Sequence, residues 1–370
     1  MPSREGGTEL QLPHARPGAG PRARSSVFYN PAMAGDRDLA VAFARSWSSR
    51  VPPGRSGWEV TAATGVRGLR LLHEGHAFDR FTLTEANPEA AEVLRENAAR
   101  YPGAVVENRD ARTPSPDRAF DYVDVDPYGS PVPFLPAAIG AVRPGGVLAV
   151  TATDMMVLAG VEKGACERKY GARPVRGRLG PEGGLRILLA YVAREARTQD
   201  RVVRPLLCYV GDHHVRAYVC LDAPSRTAHP EPVGTVDPAR WDGPPLGESG
   251  PYGPLWLGPL FDKKLVRALA VPAPAARPAE TARFVARLHE ETEADYPFYY
   301  ESNRLARELS LPRPPAMHPL LLGIRAKGFR AARTHARPEG FRTDAPRRLV
   351  GAVARATAEA PQPQKDRVRA

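Results

Sequence analysis

A chain of 370 residues is long enough for two domains and a substantial core, and its formal charge of +11 suits a polyanionic partner. That charge rests almost wholly on arginine in a chain where Arg, Ala, Pro and Gly all abound, so it permits RNA binding without proving it. No apolar run reaches the length of a membrane span and none follows a basic start, so neither a span nor a signal peptide is expected, and the expected compartment is cytoplasmic.

Residues 1–25 are rich in Pro, Gly and Arg without apolar periodicity and are expected to be disordered. Strands are then predicted over 58–61, 81–84, 104–107, 120–125 and 146–151, with helices over 66–74, 88–101 and 132–142 between them. Asn87 caps and Pro88 opens the second of these helices. A long amphipathic helix over 184–197 precedes two strands, 203–210 and 215–221, joined by a short turn. The alternation predicts an α/β fold over 26–221: a doubly wound, mostly parallel sheet with one antiparallel strand. Cys166, Cys208 and Cys220 form neither a close pair nor a disulfide framework and are expected to be core thiols.

Residues 222–252 are polar and Pro/Gly-rich and read as a linker. Predicted helices over 260–269, 279–291, 300–309 and 319–327, with a strand over 329–334, make a smaller α+β unit spanning 253–349. The Ala/Pro/Arg-rich tail, 350–370, is expected to be flexible.

Chemistry concentrates at the predicted strand ends. The turn Ala62-Ala63-Thr64-Gly65-Val66-Arg67-Gly68 joins the first strand to a helix whose opening amides can face an anionic group. Alone this is a weak signal, because no full dinucleotide fingerprint is present. Glu85 ends the second strand, where an acid can accept from two ribose hydroxyls, and Asp110-Ala111 follows the third, where an adenine amine would fit. A nicotinamide enzyme would share the sheet and the ribose carboxylate, but no hydride-transfer constellation is visible. The run DYVDVDPYGSP, residues 121–131, closes the fourth strand with Asp126-Pro127-Tyr128. A carboxylate beside an aromatic ring can accept a hydrogen bond from a base's exocyclic amine and hold the base while charge develops on nitrogen. Pro127 fixes φ and stiffens that turn. An ordinary Asp-Pro turn is the plain alternative.

The order of these elements is similar to that of class I methyltransferases that use S-adenosylmethionine. The strings VFYNPAMAGDRDLAV (27–41), AATGVRGLR (62–70), DVDPYGSPVPFLPAAI (124–139) and VTATDMMVLAG (150–160) resemble successive motifs of the tRNA guanine-26 dimethyltransferases of archaea and eukaryotes. GPLWLGPLFDKK (253–264), YYESNRLARELSL (299–311) and GFRAARTHARPEGFRTDAP (328–346) continue the resemblance. It implies a Rossmann-like methyltransferase domain over 26–221 and a tRNA-binding domain over 253–349, acting on the N2 amine of guanine 26. It further implies that Asp126 accepts from that amine, that Tyr128 and Phe28 line the base pocket, and that Arg37, Thr64, Gly65, Arg67, Glu85, Asp110 and Ala111 hold S-adenosylmethionine. Tyr128 stands where many members carry phenylalanine. Many relatives have a cysteine cluster resembling a structural zinc site, but residues 222–252 contain no cysteine and no metal is expected. His213 and His214 are adjacent, would point to opposite faces of a strand, and read as structural. Basic and aromatic residues interleave from Arg325 to Arg342 and are expected to face the tRNA backbone. A monomer is favoured.

Overall fold

The structure is a computed structural model in which residues 2–12, 27–52, 54–113, 119–224, 231–247 and 250–360 are described. The chain begins with an antiparallel hairpin, β1 (Pro2–Glu5) and β2 (Thr8–Gln11), where disorder was expected. The Gly6-Gly7 turn allows it, with Gly6 at φ 59°, and Thr8 and Leu10 are buried on one face. The Pro/Arg-rich composition behind the expectation belongs mainly to residues 13–26, which lie outside the described residues.

Helix α1 (Ala34–Ser48) follows, a nearly all-buried helix that the sequence reading missed. Next come β3 (Arg55–Glu59), α2 (Val66–Glu74), β4 (Phe78–Glu85), α3 (Pro88–Ala98), β5 (Ala104–Asn108) and β6 (Phe120–Val125). As read from the sequence, Asn87 caps α3, its Oδ1 accepting the Glu89 N–H at 3.0 Å. The chain continues through α4 (Leu135–Ala141), β7 (Val142–Ala152), α5 (Met155–Leu158), α6 (Lys163–Tyr170), α7 (Gly180–Arg197), β8 (Val202–Val210) and β9 (Val215–Asp222). Among the described residues, seven strands form the central sheet in the order β5-β4-β3-β6-β7-β9-β8. All neighbours are parallel except the pairs made by β9, which is the single antiparallel strand expected. Strand order reverses between β3 and β6, so the ligand crevice of a doubly wound sheet opens at their carboxyl ends. All three cysteines are buried, as expected of core thiols.

The expected linker holds structure: β10 (Val233–Val236) pairs with β11 (Tyr252–Trp256). Then come α8 (Lys263–Arg267), α9 (Pro278–Glu291), β12 (Tyr300–Glu301), α10 (Ser302–Glu308), α11 (Met317–Arg325), β13 (Ala331–Arg333), β14 (Gly340–Thr343) and α12 (Arg347–Glu359). Residues 255–299 belong to the core of the central sheet, and a separate core begins at Tyr300 with Leu320, Ile324, Phe341 and Val350. The division of cores therefore falls far beyond the expected boundary. Asp38 of α1 explains the shift. Its carboxylate accepts the backbone N–H groups of Ala276 at 2.9 Å and Arg277 at 2.7 Å, fastening the start of α9 to α1.

The tail expected to be flexible instead carries α12 as far as Glu359, with residues 361–370 outside the described residues. Val350, Ala354 and Ala358 recur every four residues and are all buried, so the alanines make one face of a packed helix. Among the described residues no helix is long and apolar enough to cross a membrane.

Candidate active site

The chain leaves β3 through Thr61 to Thr64, and Gly65 takes φ 77°, a left-handed conformation that disfavours any residue with a Cβ. A Cβ at Gly65 would also lie 2.4 Å from Leu94 Cδ1, so packing demands glycine as well. The turn ends at the start of α2, where free amides favour an anionic group. Glu85, closing β4, accepts the Ala63 N–H at 2.9 Å on one carboxylate oxygen and the Asn87 N–H at 2.8 Å on the other. Each oxygen keeps capacity for a hydroxyl donor. After β5, Ala111 is buried, while Asp110 is gripped at the surface by Arg112, whose Nη2 lies 2.5 Å from Oδ2. The Thr61 and Thr64 hydroxyls and Arg67 Nη1 are buried without a hydrogen-bond partner among the described residues. Those orphaned polar atoms, in the turn that Glu85 braces and on Arg67 of α2, fit a polar nucleoside ligand such as S-adenosylmethionine.

Arg37 does not reach toward this turn. Its Nε and Nη2 donate to the Glu5 carboxylate at 2.6 Å each, and Nη2 also donates to the Asn30 carbonyl at 3.0 Å. Tyr29 Oη donates to the same carboxylate at 2.9 Å. A guanidinium whose Nε and Nη2 are held by a buried carboxylate is a clamp on the 28–31 segment.

At the other side of the crevice Arg67 Nη2 donates to Asp126 Oδ2 at 2.6 Å and to Asp36 Oδ2 at 2.8 Å. Asp36 Oδ1 in turn meets Tyr209 Oη and, at 3.2 Å, His214 Nε2. Burial alone would raise the Asp126 carboxyl, but the Arg67 and Arg216 guanidiniums outweigh it and hold Asp126 below its ordinary value. Asp126 is thus an anion at neutral pH, with a side chain 17% exposed. Beneath it, Arg216 Nη2 donates to the fully buried Asp124 at 2.6 Å, and Tyr122 Oη donates to the same carboxylate at 2.7 Å.

Glu59, the last residue of β3, behaves oppositely. Burial first, then the Asp124 carboxylate, push it up to about 8 despite Arg67 and the Gly68 N–H donated to it at 2.9 Å. It is neutral in the folded protein at pH 7 and ionised once unfolded. A carboxyl raised on folding contributes stability that is complete below its unfolded value near 4.5 and lost as pH rises toward 8. Glu59→Gln is therefore expected to flatten the pH dependence of stability between pH ~5 and ~8 by on the order of 3 kcal/mol, read from urea unfolding at each pH. Parallel curves for variant and wild type would show that Glu59 is ionised in the fold.

The aromatic groups stand at the rim. Tyr128 is 96% exposed and Phe28 60%. The Asp126–Gly129 loop is pinned from the next strand end: Gly129 N–H donates to Thr153 Oγ1 at 2.7 Å and Thr153 N–H to the Gly129 carbonyl at 3.0 Å. Tyr128 is thereby held outward on a fixed turn.

The carboxylate beside a presented ring leaves the identity of the reaction to comparison with known proteins. A family model for N2,N2-dimethylguanosine tRNA methyltransferase matches residues 18–231 and 246–355. The chain belongs to that family. It is 36% identical to the tRNA (guanine(26)-N(2))-dimethyltransferase of Thermococcus kodakarensis, across 88% of this chain and 92% of that one. The Pyrococcus furiosus protein of the same name is 34% identical, across 87% and 91%. The structure of Trm1 from Pyrococcus horikoshii with S-adenosyl-L-methionine matches with a TM-score of 0.82 at 28% identity, covering 95% of this chain and 99% of that one. The sheet is therefore a Rossmann-like methyltransferase domain with a smaller C-terminal unit, as the motifs implied.

Several site groups of this dimethyltransferase-family chain escaped the sequence reading: Glu5, Asp36, Glu59, Asp124, Tyr209 and Arg216. His214 was read only as structural; it lies in the β8–β9 turn and faces Asp36, whereas His213 beside it is exposed. The basic stretch expected to meet tRNA is divided between surface and interior. Phe341, Arg342 and the His335 ring are buried, whereas Arg325, Lys327, Arg330 and Arg337 are exposed, Arg325 also capping the Ala331 carbonyl. Arginine in a basic stretch resembles a solvated face; Glu182 and Glu291, which draw Arg342 in, are distant in sequence.

Proposed function

We propose that this chain transfers two methyl groups in succession from S-adenosyl-L-methionine to the exocyclic N2 amine of guanine 26 in tRNA. The observation that carries the reading is Asp126, held ionised by Arg67 at the carboxyl end of β6 beside the outward Tyr128. A purine's amine is a weak nucleophile because its lone pair is delocalised into the ring. A carboxylate accepting one of its hydrogens stabilises the positive charge that grows on nitrogen. S-adenosyl-L-methionine supplies an electrophilic methyl carbon. Thr64 and Gly65 would line its turn, Arg37 and Arg67 would hold it beside Glu85, whose oxygens would accept from ribose hydroxyls, and Asp110 and Ala111 would receive the adenine, while Arg67 also steadies Asp126. Tyr128 and Phe28 stack on the target base and offset part of the stacking lost when it leaves the tRNA junction.

In each round the nitrogen would bond the methyl carbon as the sulfonium S–C bond breaks, S-adenosylhomocysteine leaving as a neutral thioether, and the nitrogen would lose a proton, which Asp126 accepts and passes to solvent. The monomethyl amine keeps one hydrogen. Rotation about the bond to the ring returns that hydrogen to Asp126, so one carboxylate serves both rounds. Incubation of the protein with radiolabelled cofactor and tRNA carrying guanine 26 is expected to give N2,N2-dimethylguanosine on nucleoside analysis. The same tRNA with adenine 26, and duplex DNA, are expected to stay unlabelled. Label on DNA, or none on the guanine-26 tRNA, would overturn the reading.

A further inference from the structure

Among the described residues the large hydrophobic side chains left exposed are Phe28, Tyr128, Met156, Val161 and Leu322. Three of these five gather at one end of the sheet: Tyr128 follows β6, while Met156 and Val161, 57% and 58% exposed, follow its parallel neighbour β7. The segment 153–179, which carries α5 and α6, is held at three places. Thr153 is bonded to Gly129 of the Asp126 loop. Arg173 exchanges backbone hydrogen bonds of 2.8 Å with Gly253 in both directions. Arg178 Nη1 lies 2.9 Å from Glu301 of the C-terminal unit. Inside, Tyr170 Oη joins Ser130 at 2.9 Å and Asp154 at 2.8 Å. The segment is thus a rigid shelf running from the mouth of the crevice to the second core.

Its surface is basic. Residues 161–178 hold six Lys or Arg against two Glu, and Lys163, Arg168, Lys169, Arg176 and Arg178 are all exposed. Arg168 and Arg176 have no ion-pair partner among the described residues, whereas the nearby Lys163 and Lys169 face Glu167 at 3.6 Å and Asp154 at 3.7 Å. Solvated arginines serve phosphates better than they serve folding, and exposed apolar side chains beside them offer flat contacts to unstacked bases.

We infer that this shelf is a second tRNA-docking surface within the methyltransferase domain: Met156 and Val161 pack against nucleotides flanking the target base, and Arg168 and Arg176 hold their phosphates. The inference rests on the proposed tRNA substrate and extends it to a face that the C-terminal unit does not supply. The double variant Arg168→Glu/Arg176→Glu is expected to weaken tRNA binding at least tenfold and to make the plot of log affinity against log salt shallower by about 1.5 to 2, with cofactor affinity unchanged. Met156→Asp, placed on an exposed side chain that cannot unfold the core, is expected to raise KM for tRNA several-fold without moving KM for the cofactor. If both variants keep wild-type tRNA affinity and salt slope, the shelf is an ordinary solvated face and the inference fails. Binding is read separately from methylation, so a wild-type protein that never labels guanine 26 would sink the proposed reaction and leave the shelf to be judged on its slope.

Discussion

Asp126→Asn is expected to lower kcat for methyl transfer ~100- to 1000-fold, about 3 to 4 kcal/mol of barrier, while cofactor affinity changes little. The asparagine has nearly the same shape, but it is neutral, so it stabilises the developing charge far less and takes up no proton. Arg67 keeps Asp36 as a partner at 2.8 Å, which preserves the local fold. Glu85 and Asp110, proposed to hold the cofactor, lie at the ends of other strands and are untouched. Single-turnover transfer at saturating cofactor and tRNA isolates the step. Turnover within threefold of wild type would remove Asp126 from the chemistry. Because Asp126 is held below its ordinary value, its ionisation should impose no limb on the rate profile between pH ~6 and ~9.

Arg342→Leu is expected to destabilise the protein by about 3 to 5 kcal/mol. Arg342 is fully buried on β14, with Nη1 2.7 Å from Glu182 of α7 and Nε bonded to Glu291 of α9. Nη1 also donates to the Tyr296 carbonyl at 2.8 Å. Removing the guanidinium leaves two buried carboxylates short of a cation. Glu182 retains Arg186 at 2.8 Å. Glu291 retains the Thr334 hydroxyl at 2.7 Å, the His335 backbone N–H at 2.8 Å and the His335 ring, whose Nδ1 lies 2.5 Å away and whose Nε2 accepts the Val210 N–H at 2.9 Å. A ring that accepts at Nε2 and donates at Nδ1 is neutral, so it cannot replace the lost charge without surrendering its bond to β8. Urea unfolding followed by tryptophan fluorescence measures the loss. A cost below about 1 kcal/mol would mean that water or a shifted neighbour satisfies both acids. Adding Glu291→Gln to Arg342→Leu should recover much of the deficit, since Glu182 keeps Arg186 and the unpaired Glu291 charge is the source of the cost.

What the sequence made legible follows the physics of each signal. Glu85, Asp110 and Asp126 could be found because strand period and turn residues place them at strand ends, and Gly65 because a strand-to-helix turn calls for a left-handed residue. Asp36, His214 and Arg216 could not be found that way. Their partners lie 31, 178 and 92 residues away, and only the folded sheet brings Asp36 to Arg67, His214 to Asp36, or Arg216 to Asp124. Composition misled at both ends. A Gly-Gly turn between two short alternating strands was overshadowed by the prolines and arginines after it, and the alanines of α12 were taken for low-complexity sequence although their four-residue spacing makes a buried face. The partner of Arg37 was hidden for a similar reason: its motif was visible, but the carboxylate it pairs with sits 32 residues earlier in a segment expected to be disordered.

The opening hairpin has a consequence for the order in which the molecule is made. Glu5 reaches Arg70, Gly7 and Thr8 reach Glu74, Glu9 reaches Tyr101, and Gln11 reaches Asn97, whose amide also holds the Thr64 carbonyl. Every one of these partners is translated 65 to 92 residues later. Beyond the Glu5 contacts with Tyr29 and Arg37, the hairpin must therefore wait for its partners until α2 and α3 have emerged, so this side of the turn before α2 closes late.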